Sequence, residues 1–313
     1  MKSKYPRPPL VAESVALARH TTMGVGGEAR YFFVAEDVEG LRAALKWASE
    51  EGLPVITLGN GSNVIVSDEG VEGLVIILGR GFRAHFIDAD GVVTAGAATM
   101  MPTLARFGVE RGFGDLLFMS GIPGSIGGGV LMNAGAEGFD LSGIVEWVEY
   151  MTADGATVRL SRDEIAFSYR RSSLVGLKGA VVTHVGLKSH VAPLAVAECE
   201  ERVRNYMLGR RLRQPGIGKN SGSIFKNPSS EVENSANPHK NLTAGALLDR
   251  AGMKGVTVGG AQIAVEHANW IVNLGAATGS DVRELIYLAR ARVLDLFGVE
   301  LEREVILLPE DIS

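Results

Sequence analysis

Residues 120–138 read SGIPGSIGGGVLMNAGAEG, which places seven glycines and one proline in nineteen positions. Glycine takes positive φ angles and lets the backbone approach a ligand closely. The run leaves no room for an ordinary helix or strand, and we expect its backbone N–H groups to face a concavity that suits a phosphate or pyrophosphate. A flexible surface loop is the alternative, but interleaved apolar residues such as Ile122, Ile126 and Val130 are typical of buried chain.

A second glycine turn, GNGSN at 59–63, follows a predicted strand at 55–58. A strand at 30–35 and a helix capped by Asp37 come before it, and together they predict a β-α-β unit with the turn at the carboxyl end of its second strand. Ligands commonly bind at that end. Neither GxxxxGK[ST] nor a GxGxxG behind a hydrophobic strand is present. We therefore expect the two glycine loops to converge on the pyrophosphate of a dinucleotide.

The remaining pattern predicts an alternation of strands and helices. Further strands are expected at 74–78, 92–97, 180–188 and 300–308, and helices at 103–110, 194–213, 242–251 and 278–297. Strands at 144–151 and 157–160 flank Ala-Asp-Gly and predict a hairpin, and Ser161 with Glu164 predicts a capping box. A domain boundary is expected near 211–218, and the polar stretch 229–241 is expected to be a loop.

Composition excludes several classes of protein. The chain has 313 residues, of which 46% are apolar, so two or three compact units are expected; its net charge of −5 gives no reason to expect nucleic acid as a partner. The single cysteine, Cys199, cannot form an internal disulfide, which fits a reducing cytoplasm, and the acidic neighbours Glu198 and Glu200 make it a poor nucleophile. No apolar segment is long enough for a membrane span, residues 1–14 lack the apolar region of a signal peptide, and the six histidines form no zinc motif.

Seven segments in sequence order carry a resemblance to a known family: TTMGVGGEA (21–29), LGNGSNVIV (58–66), the stretch 120–138, SYRRS (168–172), NSGSIFKNP (220–228), AGMKGVTVGGAQIAVEHANWIVN (251–273) and GVELEREV (298–305). The chain resembles the UDP-N-acetylenolpyruvoylglucosamine reductase family, in its short class without a substrate-covering tyrosine loop. Three positions depart from the family pattern: Gly24 where a basic residue is usual, Gly129 where Ala is usual, and Glu137 where an aromatic residue is common. These departures concern local details of the flavin cradle.

The resemblance implies an α+β protein with an FAD-binding fold of the vanillyl-alcohol-oxidase type, made of two α/β subdomains, and a smaller α+β substrate domain. It places the FAD-binding region at 1–205 with a split near 80, the substrate domain at 206–300, and a C-terminal strand at 301–313 that returns Glu304 to the active-site cleft. It implies non-covalent FAD, NADPH as hydride donor, and UDP-N-acetylglucosamine enolpyruvate as the substrate that is reduced to UDP-N-acetylmuramate. The enzyme is then a cytoplasmic monomer or weak homo-oligomer of peptidoglycan precursor synthesis.

Three residues match the family's catalytic positions. The resemblance implies that Arg170 holds the substrate carboxylate, Glu304 assists the enolate, and Ser223 gives the proton to C2. We expect three residues to bind substrate: Tyr169, Lys226 and Asn227. The residues expected to bind the cofactor are Gly59, Asn60, Gly61, Ser62, Asn63, Gly121, Pro123, Gly124, Ser125, Gly127, Gly128 and Asn133.

Other interpretations of these residues stay open at the level of sequence. Arg170 with Arg171 would also suit a solvated basic pair, Ser223 between glycines would suit a turn, and Tyr169 would suit either the core or the flavin. Strand alternation places Glu302 and Glu304 on the same face, so motif position alone favours Glu304. A serine hydroxyl needs an activating neighbour, for which the choices are Lys219, Lys226 or an ordered water.

Two rival functions also stay open. One is another flavin oxidase on the same scaffold, which would have no use for NSGSIFKNP or LEREV. The other is a non-catalytic nucleotide-sugar binding protein, which would bind a UDP-sugar without flavin.

Overall fold

The computed structural model describes residues 5–214, 218–228, 239 and 241–312. The chain divides into two compact units, each built from segments that are distant in sequence. The first unit comprises Met1–Val15, Ala29–Asn60 and Glu72–Arg210, and the second comprises Ala16–Glu28, Gly61–Val71 and Arg211–Ser313. The division into an FAD-binding region that ends at 205 and a substrate domain that ends at 300 stays a prediction.

The described chain contains six α-helices set between longer runs of strands. The helices are α1 (Val38–Glu50), α2 (Met101–Val109), α3 (Ile126–Leu131), α4 (Val196–Arg213), α5 (Ala244–Arg250) and α6 (Gly279–Phe297). The strands are β1 (Ala12–Ala16), β2 (Glu28–Ala35), β3 (Val55–Thr57), β4 (Val64–Val66), β5 (Val71–Leu78), β6 (His85–Ile87), β7 (Val92–Gly96), β8 (Gly135–Ala136), β9 (Phe139–Asp140), β10 (Val145–Met151), β11 (Thr157–Ser161), β12 (Phe167–Ser168), β13 (Arg171–Ser172), β14 (Val181–Lys188), β15 (Lys219–Ser223), β16 (Thr257–Val258), β17 (Ala261–Ile263), β18 (Trp270–Asn273) and β19 (Ile306–Leu308).

The first unit contains two large sheets over one apolar core, besides the two-stranded pairs β8-β9 and β12-β13. The first sheet has the order β1-β2-β5-β3, with β3 and β5 parallel, and the second has the order β11-β10-β14-β7-β6. Helix α1 begins as its sequence predicts, because the Asp37 carboxylate accepts a hydrogen bond of 2.7 Å from the Gly40 N–H. Its Leu41 and Leu45 are fully buried in the core. The predicted amphipathic helix is thereby confirmed.

Local signals also place the hairpin correctly. Strands β10 and β11 pair antiparallel, with Met151 opposite Thr157. The predicted capping box follows at once, and the Ser161 backbone N–H donates to the Glu164 carboxylate at 2.8 Å. Strand β14 then packs on the other side of β10, so the hairpin forms one edge of the second sheet.

The expectation that the glycine run holds no helix is wrong. Residues 126–131 form α3, whose N-cap is Ser125. Helix propensity opposes this because glycine costs about 1 kcal/mol relative to alanine in a helix interior. Burial supplies the compensation: Ile126 and Val130 are fully buried. A Cβ on Gly129 would lie 2.9 Å from both Met101 Sδ and Leu141 Cδ1, so this glycine serves close packing.

The second unit has its own sheet and core. Antiparallel β15, β18, β17 and β16 lie side by side in that order, and β19 pairs in parallel with β4. Helix α6 begins with a capping box between Thr278 and Asp281 and ends at Gly298, whose φ of 62° is the left-handed conformation that the sequence predicts there. Its apolar face packs on a core that also contains Met23 and Ile65 from the earlier segments.

Two expectations for the C-terminal part need comment. The predicted strand 300–308 is wrong in part, because regular strand covers only β19 and a single bridge joins Arg303 to Phe225. The predicted loop 229–241 lies mostly outside the described residues, which include only 239 and 241 of it. Within the described ranges, no helix combines the length and apolar character that crossing a bilayer requires. The same ranges contain no group of three or more His, Cys, Asp or Glu side chains placed to hold a metal ion.

Candidate functional site

An open cavity lies within the first unit, with about 780 Å³ of empty space when the adjoining open solvent is included. One part of its wall is apolar and the other comes from the two glycine segments. The lining residues are Thr57, Leu58, Gly59, Asn60, Ile77, Leu78, Arg83, Ala97, Ala98, Met100, Ser125, Gly127, Gly128, Leu131, Tyr150, Leu174, Leu177, Ala180 and Val182. Apolar walls with a few polar groups and exposed backbone are typical of a cofactor pocket.

The two glycine segments meet at this cavity. A Cβ on Gly59 would lie 2.7 Å from the Ser125 hydroxyl oxygen, so glycine lets the two turns approach without a shift of that hydroxyl. Gly128 is exposed, and a Cβ there would meet only Ser125 Oγ at 3.6 Å. A side chain at this position would therefore not clash with the protein, but it would take space in the cavity. The apolar wall suits a flat ring system and the glycine turns suit a charged pyrophosphate, the two parts of a dinucleotide such as FAD.

The amide groups of the glycine run are less available than the sequence suggests. The Gly127 N–H donates to the Ala97 carbonyl at 2.9 Å, and the Ile126 N–H donates to the Thr99 carbonyl at 2.8 Å. The Gly124 N–H donates to the Ile122 carbonyl at 3.0 Å. The Gly128 N–H has a more distant partner, Ser125 Oγ at 3.5 Å. Fewer backbone N–H groups of this run are therefore available to a ligand than the sequence predicts. Among these four, the Gly128 N–H is the most available.

The other residues of the predicted cofactor set lie elsewhere. A Cβ on Gly121 would lie 2.5 Å from the Tyr206 hydroxyl oxygen, so this glycine makes room for that ring. Pro123 is exposed, and the Gly124 carbonyl accepts a hydrogen bond from the Met101 N–H. Gly61, Ser62 and Asn63 belong to the second unit, where Gly61 has φ of 61° and packs against the His20 carbonyl.

The turn that carries Arg170 is anchored to the glycine run. Tyr169 and Arg170 connect β12 and β13, and Arg170 has φ of 54°. The Asn133 side chain is buried and engaged at both ends, donating to the Ser168 carbonyl at 3.0 Å and accepting from the Ser142 N–H at 2.9 Å. The Arg170 guanidinium donates to the Gly135 carbonyl at 2.6 Å. Arg170 is therefore held in a defined place, unlike a solvated basic pair.

Two open questions about this turn have answers in the structure. Arg171 is exposed whereas Arg170 is half-buried, so the two arginines do not share one environment. Tyr169 is 50% exposed, which removes it from the core. The Arg170 guanidinium carbon lies 5.0 Å from the centre of the Tyr169 ring, within the range of a cation–π contact.

In the second unit, the segments that carry Ser223 and Glu304 lie side by side. The Glu304 N–H donates to the Ile224 carbonyl at 2.8 Å, and the Lys226 N–H donates to the Glu302 carbonyl at 2.9 Å. We call residues 223–226 and 302–304 with these hydrogen bonds the Ser–Glu ladder. Because Ile224 directly follows Ser223, the ladder brings two of the three predicted catalytic residues onto neighbouring segments.

The ladder is locked by a residue that sequence reasoning did not single out. Asn269 is buried, and its side-chain amide accepts from the Phe225 N–H at 2.9 Å and donates to the Phe225 carbonyl at 2.8 Å. Its backbone carbonyl accepts from the Ile224 N–H at 2.9 Å. Asn269 lies in the motif 251–273, but nothing local in that motif indicates pairing with residues 44 positions earlier.

The two predicted substrate-binding residues of the second unit, Lys226 and Asn227, both contact other parts of the protein. The Lys226 ammonium pairs with the Glu302 carboxylate at 2.5 Å, and 71% of the Glu302 side chain is exposed. Asn227 Oδ1 accepts from the Ala244 N–H at 3.0 Å, at the first residue of α5. Lys219 lies across Gly24, since a Cβ at that position would lie 2.6 Å from Lys219 Cδ. Glycine at position 24 thus leaves room for the Lys219 side chain.

Known proteins match both units. The FAD binding domain family matches residues 29–161, and the C-terminal domain of UDP-N-acetylenolpyruvoylglucosamine reductase matches residues 213–308. The UDP-N-acetylenolpyruvoylglucosamine reductase of Heliobacterium modesticaldum is 42% identical over 92% of this chain and 88% of its own length. The relative from Symbiobacterium thermophilum, UDP-N-acetylenolpyruvoylglucosamine reductase 2, is 40% identical over 95% of this chain and 92% of its own.

A solved structure gives the same result for the fold. The crystal structure of UDP-N-acetylenolpyruvylglucosamine reductase from Thermus caldophilus matches with a TM-score of 0.77 and 36% sequence identity, and the match covers 96% of this chain and 99% of that one. It confirms the predicted α+β class and the FAD-binding fold of the vanillyl-alcohol-oxidase type. The chain belongs to the UDP-N-acetylenolpyruvoylglucosamine reductase family.

Proposed function

We propose that this protein reduces UDP-N-acetylglucosamine enolpyruvate to UDP-N-acetylmuramate with NADPH and non-covalent FAD, in the cytoplasmic synthesis of peptidoglycan precursors. The observation that carries the proposal is the Ser–Glu ladder, in which the hydrogen bond from the Glu304 N–H to the Ile224 carbonyl sets a hydroxyl and a carboxyl on adjacent segments. Reduction of an enolpyruvyl double bond needs a proton donor and a group that stabilises developing negative charge.

The cavity of the first unit is the proposed place for FAD. Bound FAD would supply the transfer of a hydride from NADPH to C3 of the substrate double bond. Gly59, Asn60, Ser125, Gly127 and Gly128 line the cavity and would hold the pyrophosphate end, while apolar residues of the wall would contact the ring system.

In the second unit, the chain's own residues supply the proton and the electrostatic stabilisation. After C3 has received the hydride, the Ser223 hydroxyl donates its proton to C2, and solvent restores the proton to Ser223. The Glu304 carboxyl donates or shares a hydrogen bond with the substrate carboxylate, over which the negative charge spreads. Lys226 is neutralised by Glu302, so Lys219 or an ordered water is the better candidate to activate Ser223. The role of Arg170 toward the substrate carboxylate stays a prediction.

An anaerobic titration in the visible range tests this proposal. We expect the purified protein to be yellow, to be bleached by NADPH, and to recover its colour when the enolpyruvyl sugar is added. Recovery only with oxygen would favour a flavin oxidase. A colourless protein that cannot be reconstituted with FAD but binds UDP-sugars would contradict the proposal and favour a binding protein.

A matched pair of serine variants separates chemistry from packing. Ser223→Ala should keep the bleaching by NADPH, and its recolouring by substrate should slow by about 100-fold or more, because a positioned acid contributes about that much. Ser221→Ala is the control, since Ser221 lies on the same strand and its buried hydroxyl has no hydrogen-bond partner in the described part of the chain. Equal recolouring rates in both variants would remove Ser223 from the reaction.

A further inference from the structure

The side chain of Asn63 is bonded to the backbone of Glu304. Asn63 Nδ2 donates to the Glu304 carbonyl at 3.0 Å across 241 positions of sequence. The Asn63 carbonyl in turn accepts from the Ile306 N–H at 3.0 Å. Asn63 is half-buried and ends the GNGSN turn, whose sequence predicts a cofactor contact for it.

The backbone of Glu304 needs this support because its segment is irregular. Regular strand begins only at Ile306, and the preceding bridge is a single pair at Arg303. The Glu304 N–H is held by the Ile224 carbonyl, and its own carbonyl is held by Asn63. These two hydrogen bonds fix the peptide planes on either side of the Glu304 Cα. The direction in which the carboxyl leaves the backbone follows from those planes.

We infer that Asn63 is a positioning residue for the Glu304 carboxyl, and that its side chain acts on the reaction through that residue. The inference rests on the proposed function, since it assigns a purpose to the placement of Glu304. It separates the two ends of the GNGSN turn: Gly59 and Asn60 line the cavity of the first unit, whereas Asn63 serves the ladder of the second. A misplacement of about 1 Å at a catalytic group costs up to about 100-fold in rate.

A double-mutant cycle with Glu304 tests the inference. The measured quantity is the rate at which the enolpyruvyl sugar recolours the NADPH-reduced holoenzyme. We expect Asn63→Ala to slow this step by about 10- to 100-fold when Glu304 is present. In a Glu304→Gln background the same substitution should slow it by no more than about twofold, because residues that act as one unit are not additive.

Asn273→Ala is the control for loss of a side-chain amide that bonds to a different backbone carbonyl. Asn273 belongs to the same unit, and its Nδ2 donates to the Met23 carbonyl at 3.0 Å, while its Oδ1 accepts from the Gly275 and Ala277 N–H groups. Its effect should be the same in both Glu304 backgrounds. An Asn63→Ala effect that is also the same in both backgrounds, with or without loss of bound flavin, would overturn the inference. If the wild type itself does not recolour, the proposed function fails first, and the two failures are thereby distinguished.

Asn63→Asp provides a second variant if the alanine variant does not fold. A carboxylate of the same shape cannot donate to the Glu304 carbonyl, but a protonated carboxyl can. The ratio of its recolouring rate to that of the wild type should rise as the pH falls from about 8 toward about 5. A ratio that does not change with pH would contradict a role for the donated hydrogen bond.

Discussion

Replacing Gly128 by alanine should make the protein more stable and bind flavin more weakly. Gly128 lies inside α3 and its φ is not positive, so alanine fits the backbone. The added methyl would meet only Ser125 Oγ at 3.6 Å, which is ordinary contact. Alanine is favoured over glycine in a helix by about 0.5–1 kcal/mol, and this should raise the Tm of the apoprotein by about 1–4 °C.

The same methyl takes space in the cavity. Gly128 is exposed and lines the cavity with Gly59 and Ser125, so the added carbon would take space that the proposed cofactor would otherwise fill. Extra volume in a well-packed site costs about 1–3 kcal/mol. The Kd for FAD should therefore rise by about 5- to 150-fold, since about 1.4 kcal/mol corresponds to a factor of ten.

The assay compares three glycine variants as apoproteins, by thermal unfolding and by FAD titration with fluorescence detection. Gly127→Ala should lower the Tm, because its Cβ would lie 2.8 Å from Ala97 Cβ. Gly143→Ala should change the affinity little, since it lies in open space and outside the cavity lining. If Gly128→Ala binds FAD as tightly as the wild type, Gly128 does not face the cofactor and the proposed use of the cavity is refuted.

Three further predictions follow from single contacts. Glu304→Gln should slow recolouring by substrate at least about 100-fold. Glu302→Gln, at the exposed end of an ion pair, should lower the free energy of urea unfolding by less than about 1 kcal/mol and change turnover by less than about threefold. Gly121→Ala should destabilise the protein by about 1–3 kcal/mol because its Cβ would lie 2.5 Å from the Tyr206 hydroxyl oxygen, and Tyr206→Phe in the same chain should restore part of this in urea unfolding. Burial lowers the pKa of His267, so the folded state favours its neutral form. The stability that this provides is full above about pH 6.5 and is lost as the pH falls through the folded pKa. In urea unfolding between about pH 7.5 and 5, His267→Gln should lose less stability than the wild type.

The elements that sequence predicts well are those specified by their own residues. Helix α1 has its cap, Asp37, and its buried face within one contiguous stretch. The box at Ser161 and Glu164 and the left-handed Gly298 are likewise complete in a few neighbouring positions. Such signals do not depend on a partner from elsewhere in the chain, so single-sequence reasoning finds them.

The elements that it misses depend on partners distant in sequence. Helix α3 contradicts its glycine-rich composition because Ile126 and Val130 are buried by other elements and Gly129 packs against Met101 and Leu141. The bond from Asn63 to Glu304 spans 241 positions, and no local pattern contains such a pairing. The family resemblance supplied the candidate catalytic positions, but it did not indicate which side chains hold them in place.

The choice between Glu302 and Glu304 shows how structure adds to a motif. Alternation along a regular strand would give both carboxylates one environment, but regular strand starts only at Ile306. Glu302 is largely exposed and already pairs with Lys226, whereas Glu304 is half-buried with its N–H bonded to Ile224 and its carbonyl to Asn63. A group whose backbone is fixed on both sides loses little further freedom when substrate binds, and positioning of this kind is a large part of what a catalytic site contributes. The backbone constraints thus favour Glu304 for a physical reason that is independent of its place in the motif.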